Sequence, residues 1–260
     1  MTDDLPFVTA LTITYRQPER ALATVRSLLA QDYPPHRFEV IVLDDGSDDD
    51  TGARLVELMH RHPVATVLIG CRHERHYMSA SRWNRCIVAA SDQTAVFVQV
   101  DDVVAPRRLI REHVKWHAGA TPRVVTGAKF EGRVTTFELG TCRRAALAVH
   151  GGPRLGIPAS AVWGASLSFS ADLCRASGRV GPYDEQMEGW GFHEVELALR
   201  FQAMGAELVY DPACGVFHAD HTSAEETYRG LDRAAEISGG EQRCLAYLLK
   251  KHGLDGLPRW

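Results

Sequence analysis

Over its first hundred positions the chain alternates between two apolar rhythms. Residues 7–14 (FVTALTIT) are apolar and β-branched and read as a strand. Pro18 suits the first position of a helix, where its missing N–H costs nothing. Residues 21–31 then carry Leu22, Val25, Leu28 and Leu29 at helical spacing. Residues 38–43 (FEVIVL) predict a second strand, and 51–61 a helix with Leu55, Leu58 and Met59 on one face. Residues 65–69 predict a third strand, 80–90 a helix and 95–100 a fourth strand. Strands separated by helices of this length imply right-handed βαβ crossovers. The strands are apolar almost throughout, as in a parallel sheet covered on both faces.

The rhythm changes after Pro106. Residues 107–117 predict a helix, 123–140 extended chain, and 140–161 a loop-rich segment with Gly151-Gly152-Pro153, Gly156 and Pro158. Residues 165–170 read as a strand, 171–177 as a short helix, 193–204 as a helix stopped at Gly205, and 207–210 as the last strand. From Glu225 the chain is charged and helical, with a break expected at Gly239-Gly240. No internal repeat or low-complexity tract interrupts it.

Composition narrows the class. With 45% hydrophobic and 24% charged residues, the chain can bury an ordinary globular core. A formal charge of −4 gives no basic surface for nucleic acid. Its apolar runs fall short of the ~20 residues that span a bilayer, so no transmembrane segment is expected. The opening MTDDLPFV is acidic and lacks the basic leader of a signal peptide. A cytoplasmic protein is expected, peripheral to the inner face of the membrane if attached to one. The six cysteines contain no C-x-x-C, which fits free thiols in a reducing compartment.

The candidate chemistry lies at strand ends. In an open parallel sheet, ligands bind outside the carboxyl ends of the strands. Thr14-Tyr15, Asp44-Asp45-Gly46-Ser47 and Asp101-Asp102 all fall there and would converge on one crevice. Singly, each acidic pair has a simpler reading. Asp-Gly-Ser suits a turn, and Asp48 to Asp50 cap the next helix. A calcium loop is excluded, because the D-x-D-x-D-G-x5-E spacing is missing.

Together these residues resemble family 2 glycosyltransferases. The segment YRQPERALATVRSLLAQ…FEVIVLDDGSDDDT is similar to the opening of that family, and the likeness runs from about Phe7 to His221. It implies a GT-A fold, an α/β architecture with a Rossmann-like, mostly parallel sheet flanked by helices. A nucleotide-binding half, about 1–105, would be fused to an acceptor half, about 106–221, with a C-terminal helical extension over 222–260. By the same resemblance Tyr15 would stack on the nucleotide base, beside Thr14. Asp45, or Asp44, would accept the N3–H of uracil, which favours UDP or TDP over a purine donor. The family's Arg-Asn pair falls in MSASRWNRCI. Asn84 is kept there, Trp83 replaces the common Arg, and Arg82 or Arg85 is left to reach the diphosphate.

The family's D-x-D motif falls on VQVDDVVAP. Aligned on Pro106, Gln99 stands at the first Asp and Asp101 at the second. A Mn²⁺ or Mg²⁺ ion on the leaving diphosphate often takes only one or two protein carboxylates, so Asp101 can suffice. Gln99 would then bind ribose or a water. In VFHADHTS, His218 is the preferred further metal ligand, over His221.

GWGFHEVEL, residues 189–197, resembles the family's G-W-G-F-E-D-x-E-L at the start of a helix. Glu194 takes the place of the general base and His193 that of the preceding Glu. Trp190 and Gly191 would meet the acceptor, while Asp184 and Glu188 line or buttress its site. Trp163 and Gly164, in WGASLSF, fall where the family lines the donor sugar, with Ser166 where Asn is frequent.

The resemblance implies an inverting, metal-assisted glycosyltransferase. It would carry a sugar from a UDP-sugar such as UDP-GlcNAc or UDP-Glc to a small-molecule, secondary-metabolite or glycan acceptor, and a homodimer is one assembly it could form. The alternative is a degenerate GT-A domain that binds nucleotide sugar without turnover. A nucleotidyltransferase ranks below both, because TYRQPERA has no glycine to hold a triphosphate.

Overall fold

The computed structural model describes residues 4–73, 79–132, 151–178, 181–219 and 233–257. Strands β1 (Val8–Thr14), β2 (Phe38–Asp44), β3 (Ala65–Gly70) and β4 (Val96–Val100) alternate with helices α1 (Pro18–Leu29), α2 (Thr51–Met59) and α3 (Ser79–Val88). Next come α4 (Leu109–Val114), β5 (Arg123–Thr126), β6 (Lys129–Gly132), β7 (Arg154–Leu155), β8 (Ser166–Ser170) and α5 (Ala171–Ala176). The described chain closes with α6 (His193–Ala203), β9 (Glu207–Tyr210), β10 (Val216–Ala219) and α7 (Arg233–His252).

One eight-stranded sheet, in the order β3-β2-β1-β4-β8-β5-β9-β7, runs through both halves, and β10 pairs with β6 in a separate ribbon. β1 lies parallel to β2 and to β4, and β2 parallel to β3. The chain thus winds outward from β1 to β3 and returns to its other side at β4. The crevice at this reversal, above the carboxyl ends of β1 and β4, is the ligand position in such sheets.

The apolar runs explain the layers. Every residue of β2 is buried. Val40 and Val42 pack with Leu22, Val25 and Leu55 of α1 and α2. Ile41 and Leu43 belong to the core that holds Trp83 and Cys86 of α3. Successive residues face opposite layers, so a half-polar strand would not have served.

The second half departs from the expected pattern in four elements. β8 runs antiparallel to both β4 and β5. Two strands were not foreseen: β7, only two residues long, in the loop-rich stretch, and β10, after the supposed last strand. Helix α7 also runs unbroken through Gly239-Gly240. Gly240 admits a neighbouring backbone instead of ending the helix: a Cβ there would lie 2.8 Å from the Trp190 nitrogen. The described cysteines, Cys71, Cys86, Cys174, Cys214 and Cys244, are free. No helix among the described residues is long and apolar enough to cross a membrane.

Candidate active site

The ends of β1 and β2 lie side by side, with the Asp45 N–H donating to the Thr14 carbonyl at 2.8 Å. Asp44 secures its own turn, its Oδ1 accepting from the Ser47 N–H at 3.0 Å and from the Ser47 hydroxyl at 2.6 Å. Gly46 (φ +83°) makes that turn possible, since a Cβ there would sit 2.4 Å from the His73 nitrogen. The buried Asp45 carboxylate accepts from Arg82 Nε and lies 3.1 Å from His73 Nδ1. Arg82 therefore faces a carboxylate at the expected base position. The His73 ring stacks on Tyr15, centroids 3.9 Å apart and planes at 9°. Arg16 and Gln17 follow with φ of 56° and 57°, strain of a kind that gathers at functional sites.

Asp101 and Asp102 follow β4 in the same crevice. Asp102 is also left-handed, at φ 51°, and pairs with Arg20 of α1. Burial, then the Asp102 and Glu194 carboxylates, push the Asp101 carboxyl up to about 7 against the pull of Arg20 and Lys129. Burial pushes Asp102 up to about 6 despite Arg20. Val104 exchanges two backbone hydrogen bonds with Phe217 of β10, at 2.7 and 3.1 Å, which brings the His218 backbone alongside this segment. Among the described residues no group of three or more His, Cys, Asp or Glu gathers into a metal cage. The donor chemistry still fits an ion held partly by substrate. Asp101 is a hard oxygen ligand crowded by like charge, and His218 is an imidazole on the neighbouring strand. His221 lies outside the described residues.

The third corner is built around Glu194, in the first turn of α6. Gln99 is wholly buried, and its amide Nε2 donates to Glu194 Oε1 at 3.3 Å and to the Gly164 carbonyl at 3.4 Å. Gln99 Oε1 accepts from the Tyr183 hydroxyl. The Tyr183 backbone is held in turn by Asn84, whose Oδ1 accepts from the Tyr183 N–H at 2.9 Å. Asn84 Nδ2 donates to the Tyr183 carbonyl at 2.9 Å and to Glu185 Oε1 at 2.8 Å. Asn84 therefore ties α3 to the second half of the chain, with its amide engaged by protein and not turned to a nucleotide. His193 is buried with its Nε2 3.1 Å from the Met187 carbonyl, steadying the loop before α6. Trp163 and Trp190 are 48% and 41% exposed, large rings left open to solvent.

Helix α7 closes this corner from behind. Gly240 lies against Gly189 and Trp190, and Gly191 (φ +97°) against Glu241. Tyr247 donates to Asp184 Oδ2 at 3.0 Å and Lys251 pairs with both Asp184 and Glu196. The Glu196 carboxylate also takes Arg200 Nε at 2.7 and 2.9 Å. Burial alone would raise both acids, but the bonds from Lys251, Tyr247 and Arg200 hold them below the usual carboxylate range. Asp184 thus buttresses the GWG loop, while Glu188 is exposed. Sequence reasoning missed Tyr183, His73, Arg20 and Lys251. Arg20 lies within the quoted YRQPER segment and Tyr183 directly before Asp184, but neither was given a role, and His73 and Lys251 stand in no motif.

Comparison with known proteins bears on this geometry. The family model for glycosyl transferase family 2 matches residues 9–166. Validoxylamine A glucosyltransferase from Streptomyces hygroscopicus subsp. limoneus is 25% identical over 253 residues, covering 86% of this chain and 54% of that protein. Glycosyltransferase AglE of Haloferax volcanii is 37% identical over 51 residues, 20% of this chain and 17% of its own. The chain thus spans about half, or less, of the length of these curated relatives. Among solved structures, the mannosyltransferase PcManGT from Pyrobaculum calidifontis, in complex with GDP-Man and Mn²⁺, superposes with a TM-score of 0.67 at 21% identity. That match covers 98% of this chain and 66% of that one. S. aureus TarS 1–349 in complex with UDP gives 0.62 at 13%, covering 96% and 72%. At such identities the likeness is one of fold.

Proposed function

The chain belongs to glycosyl transferase family 2 and has the GT-A fold, and from that premise we propose that it moves a sugar from a UDP-sugar to a small-molecule or glycan acceptor with inversion. The observation that carries this reading is Glu194, a carboxylate held by Gln99 at 3.3 Å and close enough to Asp101 to raise that group. Glu194 takes the acceptor's proton as its oxygen or nitrogen attacks the anomeric carbon. The new bond forms on the face opposite the breaking bond to the diphosphate, which leaves as UDP. Tyr15 supplies the stacking surface for the base, and Asp45 the acceptor for its N3–H. His73 stacks on Tyr15 and the Arg16 guanidinium lies 5.1 Å from the ring centroid, so a base that stacks on Tyr15 displaces one of these two neighbours. Asp101 and His218 would hold the divalent cation, Mn²⁺ or Mg²⁺, whose charge stabilises the departing diphosphate. Trp163 and Trp190 offer flat apolar faces to the sugars. The glucosyltransferase among the relatives supports glucose as the sugar moved.

Thermal shift with UDP, TDP and GDP and their sugars, each with Mn²⁺, Mg²⁺ or EDTA, tests the reading, because a ligand of the native state raises the melting temperature. A shift with a UDP-sugar that requires the metal is expected. No shift with any nucleotide would end it. Glu194→Gln should keep that shift and lose turnover by about 10²- to 10⁴-fold, the usual worth of a general base.

A further inference from the structure

Gln99 occupies a position that the motif reserves for a donor-side carboxylate, yet its contacts point elsewhere. The residue is wholly buried. Its two amide hydrogens are directed at the Gly164 carbonyl (3.4 Å) and Glu194 Oε1 (3.3 Å), and its oxygen takes the Tyr183 hydroxyl. Both donors are therefore committed within the protein, and no hydrogen remains for a ribose or a phosphate. The orientation of the amide is also fixed. Turned over, its oxygen would face the Gly164 carbonyl and the Glu194 carboxylate, acceptors with no hydrogen between them.

From this geometry we propose that Gln99 and Tyr183 are positioning residues for Glu194, so that the first position of the D-x-D motif serves the acceptor side of the reaction and not the diphosphate. The proposal rests on Glu194 as the base. Three further observations support it. Tyr183 cannot drift, because the Asn84 side chain clasps both its N–H and its carbonyl, each at 2.9 Å. Gly164 leaves no slack on the far side, since a Cβ there would lie 2.5 Å from Glu194 Oε1 and 2.9 Å from Gln99 Nε2. An aspartate at position 99 would be one methylene shorter and, when ionised, would present only acceptors to two other acceptors. The amide holds Glu194 with a neutral donor and adds no charge to a crevice that already contains Asp101, Asp102 and Glu194. A chain of contacts thus runs from α3 through Asn84, Tyr183 and Gln99 to the base. A base displaced by about 1 Å loses on the order of 100-fold in rate.

The experiment uses the full chain and the variants Gln99→Met, Gln99→Asp and Tyr183→Phe, alone and combined with Glu194→Gln. Calorimetry measures UDP binding in the presence of Mn²⁺. Steady-state kinetics use UDP-glucose or UDP-N-acetylglucosamine, whichever the wild type turns over. UDP affinity and donor KM should stay within about twofold of wild type while kcat falls about 10- to 100-fold, the pattern of an interaction needed only in the transition state. Gln99→Asp, which restores the motif, should gain nothing. Added to Glu194→Gln, the same changes should cost less than about twofold more, because they act through the group already lost. Wild-type kcat in Tyr183→Phe and Gln99→Met would overturn the proposal. So would UDP binding weakened about tenfold with kcat unchanged, which would return Gln99 to the donor. If the wild type turns over no nucleotide sugar, the transferase reading fails separately. A crystal structure of Gln99→Met then still decides the positioning role: Glu194 unmoved beside Gly164 refutes it, and a carboxylate swung away by about 1 Å or more upholds it.

Discussion

Gly164 is the tightest point around Glu194. A Cβ there would meet Glu194 Oε1 at 2.5 Å and its Cδ at 2.8 Å. The obstacle is the end of a side chain, so the fold can yield, but only by moving the base. Gly164→Ala is therefore expected to leave the melting temperature within a few degrees and to lower kcat by about 100-fold, a loss typical of small displacements of a reacting group. Kinetics and thermal unfolding of one variant check both halves, and a full rate would show that Glu194 works from another position. Residues of this kind were individually legible: Gly164, Gln99 and Glu194 each stood in a motif. Their meeting was not, because Gln99 lies 65 residues from Gly164 and 95 from Glu194, and no local rule spans such distances. Asn84 shows the same limit. Its motif marks it as special, but only the fold reveals that its amide is spent on Tyr183 and Glu185.

Helix α7 illustrates what a glycine pair means at the level of an element. Adjacent glycines cost a helix about 1 kcal/mol each relative to alanine, which is why Gly239-Gly240 reads as a break. The fold keeps the helix because the backbone of Gly189 and Trp190 needs the space. The two positions are not equivalent. A Cβ on Gly240 would lie 2.8 Å from the Trp190 nitrogen, whereas one on Gly239 meets only the Arg243 guanidinium, at 3.3 Å, the tip of a flexible side chain. Gly239→Ala should therefore stabilise the protein by about 0.5–1 kcal/mol through helix propensity. Gly240→Ala should destabilise it by about 1–3 kcal/mol, as overpacking does, and loosen the GWG loop. Urea unfolding of the two variants measures both signs. A Gly240→Ala chain as stable as wild type would mean that α7 does not bear on the loop. Sequence reasoning located the helix, but the reason for Gly240 lay some fifty residues upstream, in GWG.

At the scale of the whole molecule, the first four strands were legible because a mostly parallel sheet flanked by helices calls for largely apolar runs, even in β3, which lies at the sheet edge and is only partly buried. The reversed direction of β8 was not, since its residues suit either direction. That reversal places Ser166 and Ser168 against α4 and creates a buried polar chain. The Ser166 hydroxyl donates to the Cys214 carbonyl at 2.6 Å, so it accepts from His113 Nε2 at 2.9 Å. His113 Nδ1 then accepts from Ser168 at 2.8 Å, and Ser168 accepts from His117 Nε2 at 2.8 Å. Each link holds one hydrogen, so a further proton on His113 would set two hydrogens against each other. Burial, then His117, pushes His113 down to about 3, and burial, then Arg123, pushes His117 down to about 4. Both rings are neutral in the folded chain and protonate near 6.5 once it unfolds. Between those values the unfolded state binds more protons, so this contribution is whole above about 6.5 and fades as pH falls from there toward the folded values. Asp101 and Asp102, raised to about 7 and about 6, act with the opposite sign over part of the same range. The net slope of the wild type is therefore a poor guide, and the comparison must hold the carboxyls constant. His117→Gln does so, and its amide can still donate to Ser168. Its unfolding free energy should fall less steeply than that of wild type between about pH 6 and 5, by about 1 kcal/mol per pH unit, close to one proton's worth. Parallel pH curves for the two chains would show that His117 charges without leaving the fold, and the single-hydrogen chain would lose its last link.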